Sequence, residues 1–574
     1  MPFDAADIRA NFPKETFREG QERAIQFACD AFNSGKRIVV IECPTGGGKS
    51  TIGMTLANMA RSSYYLTVTK ILQDQLMDDF GDKVVELKGR NSYECDFYSR
   101  FGEKMVNGKI LTANTLKEKL SQFVDCNSGF CKSSAGRKDG HKCAQCFLSE
   151  SPAVGVPKGE LKNLPKGKSY SACNYYDQVF KAINGKNVCM NFYSFLYQTM
   201  MTKRFDPQRE LMIIDEAHAT ELVLLDVVSF MLSADMLKEY GLILPEYDNV
   251  ADYLEWFEKE NIAAVIGLAL ENAKRNENSR DEEEISRLIK KLKQFTESVE
   301  HIEWVVQVEH SQYRDKKNMT VVFKPVFISS FIENLLFRFS EKILMMSATI
   351  LDIDVFSRSL GLNPDEIAVY KMKNRFPLEN RPIYIKDCGN LTGGKSKMNE
   401  WMPTVTKTVN EICDRYPHQK GIIHTHNFAI LDALVERCAP NVKKRFLTQR
   451  DIPDKKELLE RHARSDNSII LAPAMHEGVD LKDDLSRFQI IAKIPFPNFF
   501  DNKQLSRKND IDKDYIGWLT ALKLVQSCGR SVRGPEDYAD TYIIDGSIHN
   551  FLKRSKKMFP NWFMSSIHAH DKRS

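Results

Sequence analysis

Cys43-Pro44-Thr45-Gly46-Gly47-Gly48-Lys49-Ser50 is the stretch on which the reading of this chain turns. An apolar run, Ile38-Val39-Val40-Ile41, precedes it and reads as a buried parallel strand. A helical pattern from Thr51 to Met59 follows, so the octapeptide occupies a strand-to-helix turn. Glycines at such a turn let backbone N–H groups point at phosphate oxygens, and the helix N-terminus adds a favourable field. Thr45, Gly46, Gly47 and Gly48 form the cradle, Lys49 reaches the β- and γ-phosphates, and Ser50 holds Mg2+. Cys43 stands where the general phosphate-loop pattern has its first glycine.

A second strand pattern, Leu211-Met212-Ile213-Ile214, ends in Asp215-Glu216-Ala217-His218. Acids at the carboxyl end of a parallel strand lie where ligands bind in open α/β sheets. Asp215 is placed for the Mg2+ shell, and Glu216 for orienting and deprotonating an attacking water. The two segments together predict an α/β chain that hydrolyses a nucleotide, and the second narrows it to a nucleic-acid motor.

Length and composition agree with a motor. At 574 residues the chain is too long for one core and suggests three or four domains of about 150 residues. The formal net charge of +4 is nearly balanced, so a nucleic-acid track must be a local basic surface. No run of about 18 apolar residues suggests a membrane span. The start, Met1 to Asp7, lacks a basic segment followed by an apolar one, which argues against secretion. In that setting the 13 cysteines read as free thiols plus a metal site, in a reducing, intracellular (cytoplasmic or nuclear) protein.

Further motifs follow in order. They are Tyr64-Tyr65-Leu66-Thr67-Val68-Thr69, Ile71-Leu72-Gln73-Asp74-Gln75-Leu76 and Leu87-Lys88-Gly89-Arg90-Asn91-Ser92-Tyr93-Glu94-Cys95. Then come Met346-Ser347-Ala348-Thr349-Ile350, Gly421-Ile422-Ile423-His424-Thr425-His426, Glu477-Gly478-Val479-Asp480-Leu481 and Gln526-Ser527-Cys528-Gly529-Arg530-Ser531-Val532-Arg533. In this order they resemble the XPD/DinG family of superfamily 2 DEAH-box iron–sulfur DNA helicases, over nearly the whole chain. The resemblance implies an ATP-dependent helicase that moves 5′ to 3′ on single-stranded DNA, acts on forked duplex, and works as a monomer. It makes Arg530 and Arg533 arginine fingers, which with Gln526 would share one helical face. Gly478 and Asp480 would line the same cleft, Ser347 and Thr349 would couple the motor domains, and Gln21 would read the adenine. On the residues alone, Gln21 also fits an exposed helical glutamine. Ala219 stands where the family has an asparagine.

Seven cysteines fall between the nucleotide motifs: Cys95, Cys126, Cys131, Cys143, Cys146, Cys173 and Cys189. By resemblance, Cys95, Cys143, Cys146 and Cys173 hold a 4Fe-4S cluster, whose domain would split the duplex. Four thiolates also suit zinc, for which Cys126, Cys131, Cys143 and Cys146 are the alternative set. Cys189 reads as a small buried residue. Lysines and arginines from Lys132 to Lys168, with nearby aromatics, are ingredients of a single-strand path, although Lys158 to Lys168 equally fits a solvated loop.

The expected architecture is two RecA-like motor domains with a cysteine-rich metal-binding insertion and a helical Arch-like insertion. The boundaries are 1–87, 189–224 and 326–354 for the first motor domain, 88–188 for the metal insertion, 225–325 for the Arch-like domain and 355–574 for the second motor domain. Ile285, Leu288, Ile289, Leu292 and Phe295 recur at helical spacing and read as core.

Overall fold

The computed structural model describes residues 3–94, 103–106, 109–112, 126, 174–202, 205, 208–276, 279–313, 316–374, 376–391, 394–475, 481–498 and 501–568. Its centre is a seven-stranded parallel sheet in the order Ile367–Lys371, Ile38–Glu42, Ser340–Ser347, Arg209–Asp215, Ser63–Thr67, Asn187–Asn191, Val85–Leu87. The inner strands are apolar without alternation because helices cover both faces. Val39, Val40, Ile41, Leu211, Met212, Ile213 and Ile214 are all fully buried, at about 1.5–3 kcal/mol each for the larger aliphatic side chains. Register aligns the chemistry: Glu42 pairs with Ser347, and Met346 with Asp215. The phosphate loop, the Ser-Ala-Thr segment and the acidic tetrapeptide therefore leave the sheet at one edge.

A second seven-stranded parallel sheet follows, in the order Phe446–Thr448, Ile469–Ala472, Gly421–His424, Phe488–Ile491, Asp540–Ile543, Ile383–Ile385, Ile567–His568. Its helix Tyr515–Cys528 is buried nearly throughout and packs against the first domain, where Trp518 Nε1 donates to the Ile350 carbonyl at 2.8 Å. Across the same seam, Tyr515 donates to Glu221 at 2.9 Å, and Lys508 pairs with that carboxylate.

The structure departs from the expected layout in three places. Asn187–Asn191 is a strand of the first sheet and helix Asn174–Asn184 packs on strand Val85–Leu87, so the first domain resumes by residue 174 rather than 189. Strand Ile367–Lys371 pairs with Ile38–Glu42, which carries that domain past residue 354. Residues 225–325 are not wholly helical: Phe230–Ser233, Lys316–Pro325 and Trp304–Tyr313 form an antiparallel sheet. Trp304, Val306, Val321 and Phe323 are its buried face, against helix Ser279–Ser298, whose Leu292 and Phe295 are core as expected.

Candidate active site

The phosphate loop is built by conformations and contacts only glycine allows. Gly46 and Gly48 have φ of +77° and +83°, a region costly for residues with a Cβ. A Cβ at Gly46 would also meet the Arg533 carbonyl oxygen at 2.6 Å, and one at Gly47 would meet Cys43 Sγ at 2.6 Å. The thiol at the pattern's first glycine position thus fills the space under the loop. Arg18 Nη1 donates to the Gly46 carbonyl at 2.6 Å. Gln21 is buried rather than exposed; its Oε1 accepts from Arg18 N at 2.7 Å and its Nε2 donates to Gly48 O at 3.3 Å.

Lys49 opens the helix Lys49–Met59, and its Nζ lies 3.4 Å from Glu216 Oε1. Burial pulls the Lys49 ammonium down, but Glu216 and Asp215 outweigh it and hold it above its ordinary value. Glu216 departs from the strand end with φ +52°, a left-handed backbone rare for a side chain of this size. Two acids stand in succession, Asp215 buried and Glu216 half-buried. Burial pushes the Asp215 carboxyl up, and the Glu216 charge adds to this. Burial acts on Glu216 too, but Lys49, His218 and Arg530 reverse it and hold that carboxyl below the usual range. A bound cation favours the ionised form of an adjacent carboxylate, so Asp215 and Ser50, which line one cleft, suit Mg2+.

The cleft has a volume of about 1080 Å³ and lies between the two domains. Thr45, Gly46, Gly48, Lys49, Ser50, Asp215 and Glu216 line one wall; Gln526, Arg530 and Arg533 line the other. The expected single helical face for these last three is corrected here. The helix ends at Cys528, where Gly529 closes it, so Arg530 and Arg533 stand on the following loop. Asp537 accepts from Arg533 N at 3.0 Å, and Asn380 Nδ2 donates to the Pro535 carbonyl at 2.8 Å, pinning that loop.

Gln526 joins the walls. Its Nε2 is 2.8 Å from His218 Nε2 and 3.0 Å from Thr349 Oγ1, while His218 Nδ1 is 2.7 Å from Ser347 Oγ. Of the two residues expected to couple the domains, Ser347 thus meets the acidic segment through His218, and Thr349 meets the second domain through Gln526. Sequence reasoning gave no role to His218, Arg18 or Glu42. Glu42 Oε1 accepts from Ile350 N and Leu351 N at 3.0 and 3.1 Å, and only the sheet register could have revealed that.

Gly478, Asp480, Cys95, Cys143, Cys146 and Cys173 lie outside the described residues. Cys126 is buried, with Sγ 3.4 Å from the Glu94 carbonyl oxygen, and Cys189 is buried in its strand. Among the described residues, no group of three or more His, Cys, Asp or Glu is arranged to hold a metal, and no helix is long and apolar enough to cross a membrane.

Comparison with known proteins agrees with this geometry. Residues 14–255 match the family model described as type III restriction enzyme, res subunit, and residues 409–566 match the helicase C-terminal domain. ATP-dependent DNA helicase CHL1 of Meyerozyma guilliermondii is 24% identical over 192 residues, covering 28% of this chain and 23% of that protein. Its Saccharomyces cerevisiae counterpart is 25% identical over 155 residues, 22% of this chain and 17% of that one. These matches span under a quarter of the relatives' own length. In fold, a solved XPD helicase aligns with TM-score 0.57 at 13% identity, over 97% of this chain and 100% of that chain. S. tokodaii Xpd4 aligns with TM-score 0.52 at 14% identity, over 96% and 100%. Both sheets are accordingly RecA-like domains, and in its two family-model matches, its relatives and its fold the chain is similar to the XPD-like superfamily 2 helicases.

Proposed function

We propose that this chain is an ATP-dependent DNA helicase that moves 5′ to 3′ along single-stranded DNA. The observation that carries the reading is the cleft itself, where Lys49, Asp215 and Glu216 from one sheet meet Arg530 and Arg533 from the other. ATP would sit with its terminal phosphates on the loop, drawing Lys49 from Glu216 and leaving that carboxylate to orient the attacking water. Mg2+, held by Ser50 and Asp215, would neutralise developing charge on the phosphates. Arg530 and Arg533 would complete the site only when the domains are closed. Loss of the γ-phosphate would release them, and the alternation of closed and open clefts would move the two domains along a strand. DNA as the track is supported by the relatives, which are named DNA helicases.

The cysteine segment is proposed as a metal-bearing domain that splits the duplex. Cys95, Cys143, Cys146 and Cys173 would ligate the 4Fe-4S cluster, with zinc as the alternative. Residues 225–325 are proposed as the Arch-like domain, and the working unit as a monomer inside the cell.

Strand displacement on forked DNA with either a 5′ or a 3′ single-stranded tail tests the reading. ATP-dependent displacement confined to the 5′-tailed fork is expected. Displacement of the 3′-tailed fork would overturn the polarity. ATP hydrolysis stimulated by single strands without displacement of either fork would replace the helicase with a translocase.

A further inference from the structure

One buried cation in the cleft wall has no anion to answer it among the described residues. Arg381 is 6% exposed. Its Nη2 donates to the Phe376 carbonyl at 2.8 Å, its Nε is buried without a partner, and burial alone pulls the guanidinium down to about 10. The group is instead stacked among rings: its central carbon lies 4.4 Å from the Trp562 ring centroid and 5.8 Å from that of Phe376. Two other arginines removed from water make more contacts than the single carbonyl bond of Arg381. Arg209 donates to the carbonyls of Ser63, Ala182, Ile183, Gly185 and Lys186, and Arg487 pairs with Asp484 and Asp537. Removing a guanidinium from water without an anion is costly, and it is tolerated where a ligand supplies the charge.

Position says which ligand. Arg381, Phe376 and Trp562 line the same cleft as Lys49 and Arg533. The Phe376 ring lies against the phosphate loop, since a Cβ at Gly46 would be 3.2 Å from its Cζ. Asn380, next in the chain, holds the loop that carries Arg530 and Arg533. We propose that Arg381 is a third arginine of the second domain that binds the nucleotide's phosphates, with Trp562 and Phe376 holding its guanidinium plane toward the cleft. Its Nε, left without a partner, suits a phosphate oxygen, an acceptor that arginine binds with charge-assisted hydrogen bonds. This rests on the reading of the cleft as a nucleotide site.

The test is calorimetric titration of the full chain with ATP and Mg2+, in the wild type, R381Q and R381K, with thermal unfolding to check folding. Loss of a charge-assisted contact weakens ATP binding in R381Q by roughly tenfold to a hundredfold, and R381K, keeping the charge, recovers much of it. Wild-type affinity in R381Q, or equal losses in both variants, would overturn the proposal and leave Arg381 as a prop for the two rings. A wild type that binds no ATP would sink the nucleotide-site reading and this inference with it. A second readout does not depend on R381Q folding. ATP should change the tryptophan emission of the wild type, and W562F should lose part of that change; an unaltered change in W562F would also overturn the proposal.

Discussion

Gln526→Ala isolates the link between the two domains. The amide lies 2.8 Å from His218 Nε2 and 3.0 Å from Thr349 Oγ1, and all three side chains are buried at the seam. Alanine removes both contacts, each of them to a buried polar atom. At about 1 kcal/mol net for each bond, and more where a buried polar group is left unpaired, the closed arrangement loses about 2–3 kcal/mol. Opening returns His218 and Thr349 to water, so the cost falls on the closed state alone. That lowers the closed population by roughly 30- to 150-fold. Steady-state ATP hydrolysis with and without single-stranded DNA reads the effect, and the stimulated rate should fall by about that factor. Nucleotide affinity should move far less, because the Gln526 amide bonds to His218 and Thr349 rather than to the phosphate loop. In a double-mutant cycle with His218→Ala, the two changes should be non-additive by about 1 kcal/mol or more. A stimulated rate within about twofold of wild type, or additive effects, would refute the idea that this bridge couples closure to hydrolysis.

Two further changes test other parts of the structure. Gly46→Ala places a methyl against the Arg533 carbonyl oxygen at a backbone φ of +77°; ATP hydrolysis should be largely lost while single-stranded DNA still binds, as a filter-binding assay would show. His462 is fully buried, with Nε2 2.7 Å from the Leu485 carbonyl oxygen and Nδ1 2.8 Å from Ser468 Oγ, and burial holds its pKa down at about 4. The unfolded chain therefore takes up a proton that the folded one refuses. The stability is fully present above about pH 6.5 and is lost as pH falls toward about 4, by about 3 kcal/mol in all. Denaturant unfolding across that range should show the loss in the wild type and a flatter profile in His462→Gln; parallel profiles would contradict it.

What the sequence made legible was local chemistry. The phosphate loop and the acidic tetrapeptide could be read because the strands before them are buried on both faces and stand out as unbroken apolar runs. Their placement at one sheet edge follows from parallel strands that all end in the same direction. The arginine loop was misread because Gly529 ends the helix one residue before Arg530, and helical spacing beyond a glycine is a poor guide. The antiparallel pair Trp304–Tyr313 and Lys316–Pro325 did carry a signal, the alternation Trp304, Val306 and Val321, Phe323. Strong helical periodicity in the preceding segment drew the reading away from it. The partnership of Ile367–Lys371 with Ile38–Glu42 and the contacts of Gln526 and Arg381 join residues far apart in sequence. No local pattern encodes them.

In the proposed function the cleft hydrolyses ATP to drive movement on single strands. Steady-state ATP hydrolysis by the full chain, with and without single-stranded DNA, in the wild type and in Lys49→Ala, tests it most directly. Hydrolysis stimulated by the strand is expected in the wild type, and none above background in Lys49→Ala, which should still bind the strand. Turnover that persists in Lys49→Ala, or wild-type hydrolysis indifferent to DNA, would contradict it.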